Sequence, residues 1–205
     1  MGRKALSISV ALAALLAAGS ASAAVTVLGS SAANQCSSAA IAGDAADTDL
    51  AACNAALLEP MTDHQKAGTH VNRGVMLLRL KQYDAARADF DEAEKLEPTM
   101  GEAVVNRGAA FIAQKRYMEG LTEIDRGLGL NPEEPEKAYY NRALANEGLD
   151  DMKAAYLDYM KALELAPNWD APRHELARFT VQNPATGQKA PALENAPPAP
   201  TPPKQ

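Results

Sequence analysis

Histidine is scarce in this chain: His64, His70 and His174 are the only three, and none stands in a His-Glu-x-x-His metal helix. Cysteine is scarcer still. Cys36 and Cys53 form no Cys-x-x-Cys pair and have no histidine beside them, so neither zinc binding nor thiol redox catalysis has the spacing it needs. A glycine-rich phosphate loop is missing, and so is any nucleophile set beside a base. The expectation is therefore a non-enzymatic protein without cofactor or metal, an unrecognised hydrolase being the remaining enzymatic alternative. Basic residues are in deficit, 20 Lys and Arg against 26 Asp and Glu for a net charge of −6, which disfavours a nucleic-acid partner. No apolar run reaches the roughly 20 residues that a membrane-spanning helix requires.

What is present begins with Met1-Gly2-Arg3-Lys4, an uncharged apolar run from Ala5 to Ala18, and the small residues Gly19-Ser20-Ala21-Ser22-Ala23. That is the layout of a secretory signal over 1–23, with cleavage expected after Ala23. A membrane anchor is the alternative, but the run is short and ends in a small-residue cleavage pattern. The first cysteine, Cys36, lies too far behind the run for a lipoprotein. The processed chain would carry 18 basic and 26 acidic residues, a formal charge of −8, and would have no stable membrane insertion. Export, to the periplasm or outside the cell, implies an oxidising compartment, in which Cys36 and Cys53 read as a disulfide; two buried free thiols are the alternative.

Aligned on itself, the chain repeats. Asn72-Arg73-Gly74, Asn106-Arg107-Gly108 and Asn141-Arg142-Ala143 recur at 34 and then 35 residues, the extra residue falling in Asn131-Pro132-Glu133-Glu134-Pro135. Such a period signals a solenoid of helix pairs. With the small residue of each triplet set as position 8, Ala86, Gly120 and Ala155 fall at position 20. Phe90, Ile124 and Tyr159 fall at 24, Ala93, Gly127 and Ala162 at 27, and Pro98, Pro132 and Pro167 at 32. Positions 8 and 20 admit only Gly or Ala where two helices approach closely, position 24 fills the remaining space, and proline ends each unit.

Over residues 67 to 167 this pattern resembles the tetratricopeptide repeat. The resemblance implies an all-α, right-handed solenoid of antiparallel helix pairs, about three units with a degenerate N-terminal helix and a C-terminal capping helix. Two departures stand out. Position 4 is His70 in the first unit and Val104 in the second, and Gly120 with Gly127 puts two glycines into one helix at about 1 kcal/mol each, which marks the middle unit as the softest.

The same resemblance implies a concave groove lined by the first helix of each unit, at positions 2, 6, 9 and 13: Gly68, Asn72, Val75 and Arg79, then Glu102, Asn106, Ala109 and Ala113, then Lys137, Asn141, Leu144 and Gly148. An asparagine stands at position 6 in every unit. A carboxamide both donates and accepts, so a ladder of them can hold an extended peptide backbone of any sequence; alternatively, each bonds only a neighbouring backbone group or water. Some members grip a partner's terminal carboxylate with a clamp of Lys, Asn and Arg. Here Asn106 and Lys137 match, but Val71, Val75 and Asn141 replace the rest, so chaperone-tail binding is not implied.

Position 7 is arginine and position 23 acidic in all three units: Arg73 with Asp89, Arg107 with Glu123, Arg142 with Asp158. Antiparallel helices would bring these together as architectural ion pairs; the competing reading is a basic ladder for an acidic ligand.

At the ends, residues 24–46 read as a loose linker tied down at Cys36, and Asp47 to Pro60 as the second helix of a degenerate unit without a first. Trp169 begins a last helix through about Val181, with Trp169, Leu176 and Phe179 as core contacts. Together 47–182 form the repeat domain. Residues 183–205 hold seven of the thirteen prolines and read as a disordered tail, a spacer or a ligand for a proline-recognising module. Function then reduces to binding: an exported adaptor that holds a protein or peptide segment in its groove, or a structural part of an envelope assembly acting through its convex face or tail.

Overall fold

A computed structural model describes residues 7–10, 21–182 and 189–191. Among the described residues, nine helices form a solenoid. The helices are α1 (Ser31–Ala42), α2 (Asp47–Ala56), α3 (Asp63–Arg79), α4 (Tyr83–Leu96), α5 (Gly101–Ala113), α6 (Tyr117–Gly129), α7 (Pro135–Gly148), α8 (Met152–Leu165) and α9 (Asp170–Leu176). The pairs α3/α4, α5/α6 and α7/α8 are the three repeat units, and α1/α2 form a hairpin ahead of them.

Each unit folds where its sequence is interrupted. The first helix of each hairpin ends in a left-handed residue at position 15: Lys81 (φ 61°), Lys115 (φ 61°) and Asp150 (φ 63°). The next amide then folds back, Gln82 N–H to Leu77 O at 2.8 Å and Arg116 N–H to Phe111 O at 2.9 Å, which satisfies a carbonyl of the last turn. At the start of α3, Thr62 Oγ1 accepts from Gln65 N–H at 3.2 Å and Gln65 Oε1 accepts from Thr62 N–H at 3.0 Å, a reciprocal cap.

Small residues set the distance between paired helices. A methyl group on Gly74 would stand 2.5 Å from the Phe90 ring, and one on Gly108 3.0 Å from Gly120 O. Gly120 faces Gly108 O at 3.1 Å in return. The two glycines of α6 thus have steric cause: Gly127 has Val105 N at 3.1 Å and Gly101 O at 3.3 Å from the position of a missing Cβ. The core is a chain of small clusters rather than one mass. Val71, Val75 and Phe90 anchor the first unit, Val105, Ile112 and Ile124 the second, and Tyr140, Tyr159 and Leu163 the third.

Two expectations for the ends are corrected. The linker over 24–46 contains α1, which supplies the missing first helix ahead of α2; its apolar residues are mostly alanines, so its face carries almost no sequence signal, and packing against α2 and α3 forms it. The last helix stops at Leu176, and Phe179 lies on a strand. β1 (Ser7–Val10), β2 (Phe179–Gln182) and β3 (Lys189–Pro191) form an antiparallel sheet in the order β1-β2-β3. The β-branched Thr180 and Val181 suit an extended chain better than a helix end. Leu176 and Phe179 are fully buried, and Trp169 stacks on Tyr140 with ring centroids 4.9 Å apart. Of the expected signal and tail, 1–6, 11–20, 183–188 and 192–205 lie outside the described residues.

Cys36 of α1 and Cys53 of α2 are disulfide-bonded, with Cα atoms 4.8 Å apart and a sequence separation of 17. Both are fully buried beside Met76 of α3.

Gly127→Ala should destabilise by about 1–3 kcal/mol despite the better helix propensity of alanine, because overpacking against Val105 and Gly101 outweighs it. Gly129→Ala, with nothing within 4 Å of the added methyl, should stabilise by about 0.5–1 kcal/mol. Urea unfolding of the two variants measures both signs. Reducing the disulfide should cost about 3 kcal/mol on the chain-entropy account of a loop this size, read as a lower urea midpoint in dithiothreitol.

Candidate functional site

Consecutive residues on a helix point about 100° apart, so the asparagine at position 6 and the arginine at position 7 leave each first helix on different sides. The arginine turns towards the second helix of its own hairpin. Arg73 donates from Nε and Nη2 to the two carboxylate oxygens of Asp89 at 2.8 and 2.6 Å, and Arg142 does the same to Asp158 at 2.9 and 2.7 Å. Arg107 donates from Nε and Nη2 to a single oxygen of Glu123 at 3.1 and 2.8 Å. The remaining Nη1 reaches the preceding hairpin: Asn54 at 2.7 Å, Asp91 at 2.6 Å and Asp125 at 2.9 Å. Each guanidinium therefore ties its own hairpin closed and fastens it to the one before, a planar fork being suited to that geometry.

These acids are not equivalent. Asp89 is buried, which pushes its carboxyl up, but hydrogen bonds from Arg73 and His70 outweigh burial and hold it below the usual range. Asp158 also accepts from Asn146 Nδ2 at 3.1 Å. Past the third unit, the buried Glu147 accepts from the Tyr159 hydroxyl at 3.0 Å and from both terminal nitrogens of Arg178 at 2.7 and 2.8 Å, which anchors the chain after α9. Burial pushes the Tyr159 phenol up.

On the other side the three asparagines converge on one strand of the chain itself. Residues 21–28 run extended through the groove, and each asparagine holds both backbone groups of one residue. Asn141 Oδ1 accepts from Ala21 N–H at 2.8 Å and its Nδ2 donates to Ala21 O at 2.6 Å. Asn106 does the same to Ala23 at 3.0 and 2.7 Å, and Asn72 to Val25 at 2.8 and 2.7 Å. The step is two residues, so successive amides stand one pleat repeat apart, about 6.8 Å, and pair with one edge of the strand as a neighbouring strand would. The strand runs from the third unit to the first.

The far end is held by residues that the repeat pattern does not single out. Ser37 Oγ donates to Val25 O at 3.0 Å and accepts from Val27 N–H at 3.1 Å, and Gln65 Nε2 donates to Leu28 O at 2.7 Å. Gly68 makes room for the strand: a methyl there would lie 2.8 Å from Val27 Cγ2 and 3.2 Å from Val25 Cγ1. Ala23 and Val27 are buried, at 1% and 4% exposure, whereas Thr26 and Leu28 are exposed.

The other expected groove residues do different work. Val75 is fully buried in the first hairpin, and Leu144 packs partly buried between the second and third. Arg79 Nη1 donates to Ala40 O of α1 at 2.8 Å. Glu102 accepts from Glu133 N–H at 2.6 Å, and Lys137 pairs with Glu134 at 2.7 Å, so both serve the α6–α7 loop. Among the described residues no cluster of His, Cys, Asp and Glu could hold a metal, and no helix is long and apolar enough to cross a membrane.

The Asp89 pairing has a measurable consequence. With its folded-state value below that of the unfolded chain, about 3.9, its contribution is fully present above that pH and is lost as pH falls through the folded value. Asp89→Asn should lower stability at pH 7 by about 2–4 kcal/mol, since it leaves the partly buried Arg73 unpaired, and should make the acid loss below about pH 4 shallower. Urea midpoints from pH 2 to 7 for both proteins measure this.

Comparison with known proteins agrees with this architecture. Models of the tetratricopeptide repeat match residues 67–100 and 136–168. The Hsp70-Hsp90 organizing protein 2 of Arabidopsis thaliana is 27% identical over 106 residues, 52% of this chain and 18% of that protein. RNA polymerase II-associated protein 3 of Xenopus tropicalis is 29% identical over 120 residues, 58% of this chain and again 18% of the relative, so the chain spans under a fifth of the length of each of these two relatives. Among solved structures, the first repeat domain of Spaghetti, bound to the HSP90 peptide SRMEEVD, superposes with a TM-score of 0.51 at 27% identity, over 56% of this chain and 90% of that one. MamA 41-end from Desulfovibrio magneticus RS-1 shares the fold at a TM-score of 0.55 and 22% identity, over 72% of this chain and 83% of that one. With two repeats matched directly and the α5/α6 hairpin between them built on the same positions, residues 67–100 and 136–168 of this chain are similar to tetratricopeptide repeats and the hairpin between them continues the same solenoid.

Proposed function

We propose that this protein is an exported, non-enzymatic adaptor that holds an extended segment of a partner protein in its concave groove. The observation that carries the reading is the ladder of Asn72, Asn106 and Asn141, each engaging both backbone groups of one residue, so that together they hold every second residue of an extended segment, here the chain's own residues 21–25. Such pairing recognises main chain and tolerates many sequences, as strand addition does. Export rests on the charged start, apolar run and small-residue pattern of residues 1–23.

Several relatives carry chaperone names, and the Spaghetti domain was solved with an HSP90 peptide, but the carboxylate-clamp reading fits this chain poorly. Val71 and Val75 are fully buried where polar clamp residues would stand, and Lys137 is paired with Glu134. An acidic tail would meet little unpaired positive charge there.

Asn106→Ala combined with Asn141→Ala should weaken capture of the partner from the exported fraction by at least tenfold, while removal of residues 183–205 leaves it unchanged. Quantitative pull-down with the three proteins measures this. Loss on tail deletion alone would move the function to the tail and to a structural role in an envelope assembly.

A further inference from the structure

The strand in the groove is the segment that the signal reading cuts. Ala21, Ser22 and Ala23 are the small residues ahead of the expected cleavage point, and Ala21 and Ala23 are also the residues held by Asn141 and Asn106. Val25, Val27 and Leu28 lie beyond the cut. They stay fixed by Asn72, Ser37 and Gln65 and run directly into α1, which the disulfide ties to α2.

We infer that the unprocessed protein closes its own groove, and that cleavage after Ala23 opens two of its three asparagine rungs to the carboxyl-terminal end of an extended partner segment with small side chains at its last and third-last residues. The inference rests on the export reading above. Its direction and chemistry come from what remains. Asn106 and Asn141 are fully buried beneath the present strand, and each loses two backbone partners when residues 21–23 leave. Water replaces those partners once the groove opens, and a returning strand regains both pairs together with the burial of its small side chains. Residues 24–28 still occupy the first unit, so a strand entering from the third unit must end or turn away at the second. An ending strand places its carboxylate against the new ammonium group of Ala24, an opposite-charge contact that the uncut chain does not possess.

Small residues are required because the groove is close-fitting where the strand now lies: Ala23 is 1% exposed, and Ala21 packs against the cluster of Tyr140 and Tyr159. A proline at either paired position would remove the N–H that the asparagine accepts. A charged side chain in place of Ala23 would be buried without a partner.

The experiment uses the full chain and the protein recovered after export. In the full chain, hydrogen exchange should show Ala21, Ala23 and Val25 amides slowed at least tenfold relative to Ser22, Ala24 and Thr26, and Asn106→Ala should release Ala23. Amides that all exchange at free-peptide rates would overturn self-occupation. N-acetylated Gly-Ser-Ala-Ser-Ala, the sequence of residues 19–23, should bind the exported protein at least tenfold more tightly than the full chain. Binding should weaken severalfold when the peptide is amidated, and be lost with Asn106→Ala plus Asn141→Ala. Equal binding to both proteins, or none to the exported one, overturns the inference, as does an amidated peptide that binds as well as the acid. Intact mass of the exported protein tests the export reading separately: a chain still carrying residues 21–23 defeats that reading and the opening step together, while the exchange pattern continues to report whether the rungs are occupied.

Discussion

Everything in this molecule depends on how closely the two helices of each hairpin approach. Where Gly108 and Gly120 face each other across α5 and α6, a Cβ on either would stand about 3 Å from a carbonyl oxygen of the other. That spacing seats Ile124 over Gly108, as it seats Phe90 over Gly74. Contact of each hairpin with the next, α4 on α5 and α6 on α7, in turn sets the separation between equivalent side chains of successive units. An extended strand advances by about 6.8 Å every two residues, and the stack brings one asparagine per unit to alternate residues of one strand.

Adjacent residues on the first helix divide the structural and binding roles. Arg73, Arg107 and Arg142 fasten hairpins to one another, and the asparagines beside them face the strand. Because each arginine bridges two hairpins, rotation of one unit would move its asparagine out of line with the next. The ion pairs thus matter more for orientation than for bulk stability, which suits the modest energy of partly exposed pairs. Asp89 and Asp158 are the exceptions, since both carboxylates have little access to water.

A groove filled by the chain's own N-terminal segment has a physical logic. The three carboxamides that the strand covers would be costly to bury without partners, and its backbone satisfies each of them without demanding side-chain pockets. The strand also covers the inner faces of α3, α5 and α7, and Val25 and Val27 contribute to the packing around Gly68.

The amino-acid sequence by itself determined whatever depends on periodicity. The 34-residue repeat placed the small, large and proline positions, the asparagines and the arginine–acid pairs, because each of those depends on residues a fixed distance apart within one hairpin. Two cysteines sufficed to name one pairing. Tertiary structure alone decided what carries no period. Helix α1 is an Ala/Ser segment whose weak amphipathicity cannot specify a face until α2 and α3 provide one. Phe179 passes from an expected helix to a strand because β1, from the other end of the chain, pairs with it. The occupant of the groove was least legible of all: Ala21, Ala23 and Val25 meet asparagines 120, 83 and 47 residues away, through backbone groups that every residue possesses and no side-chain pattern records.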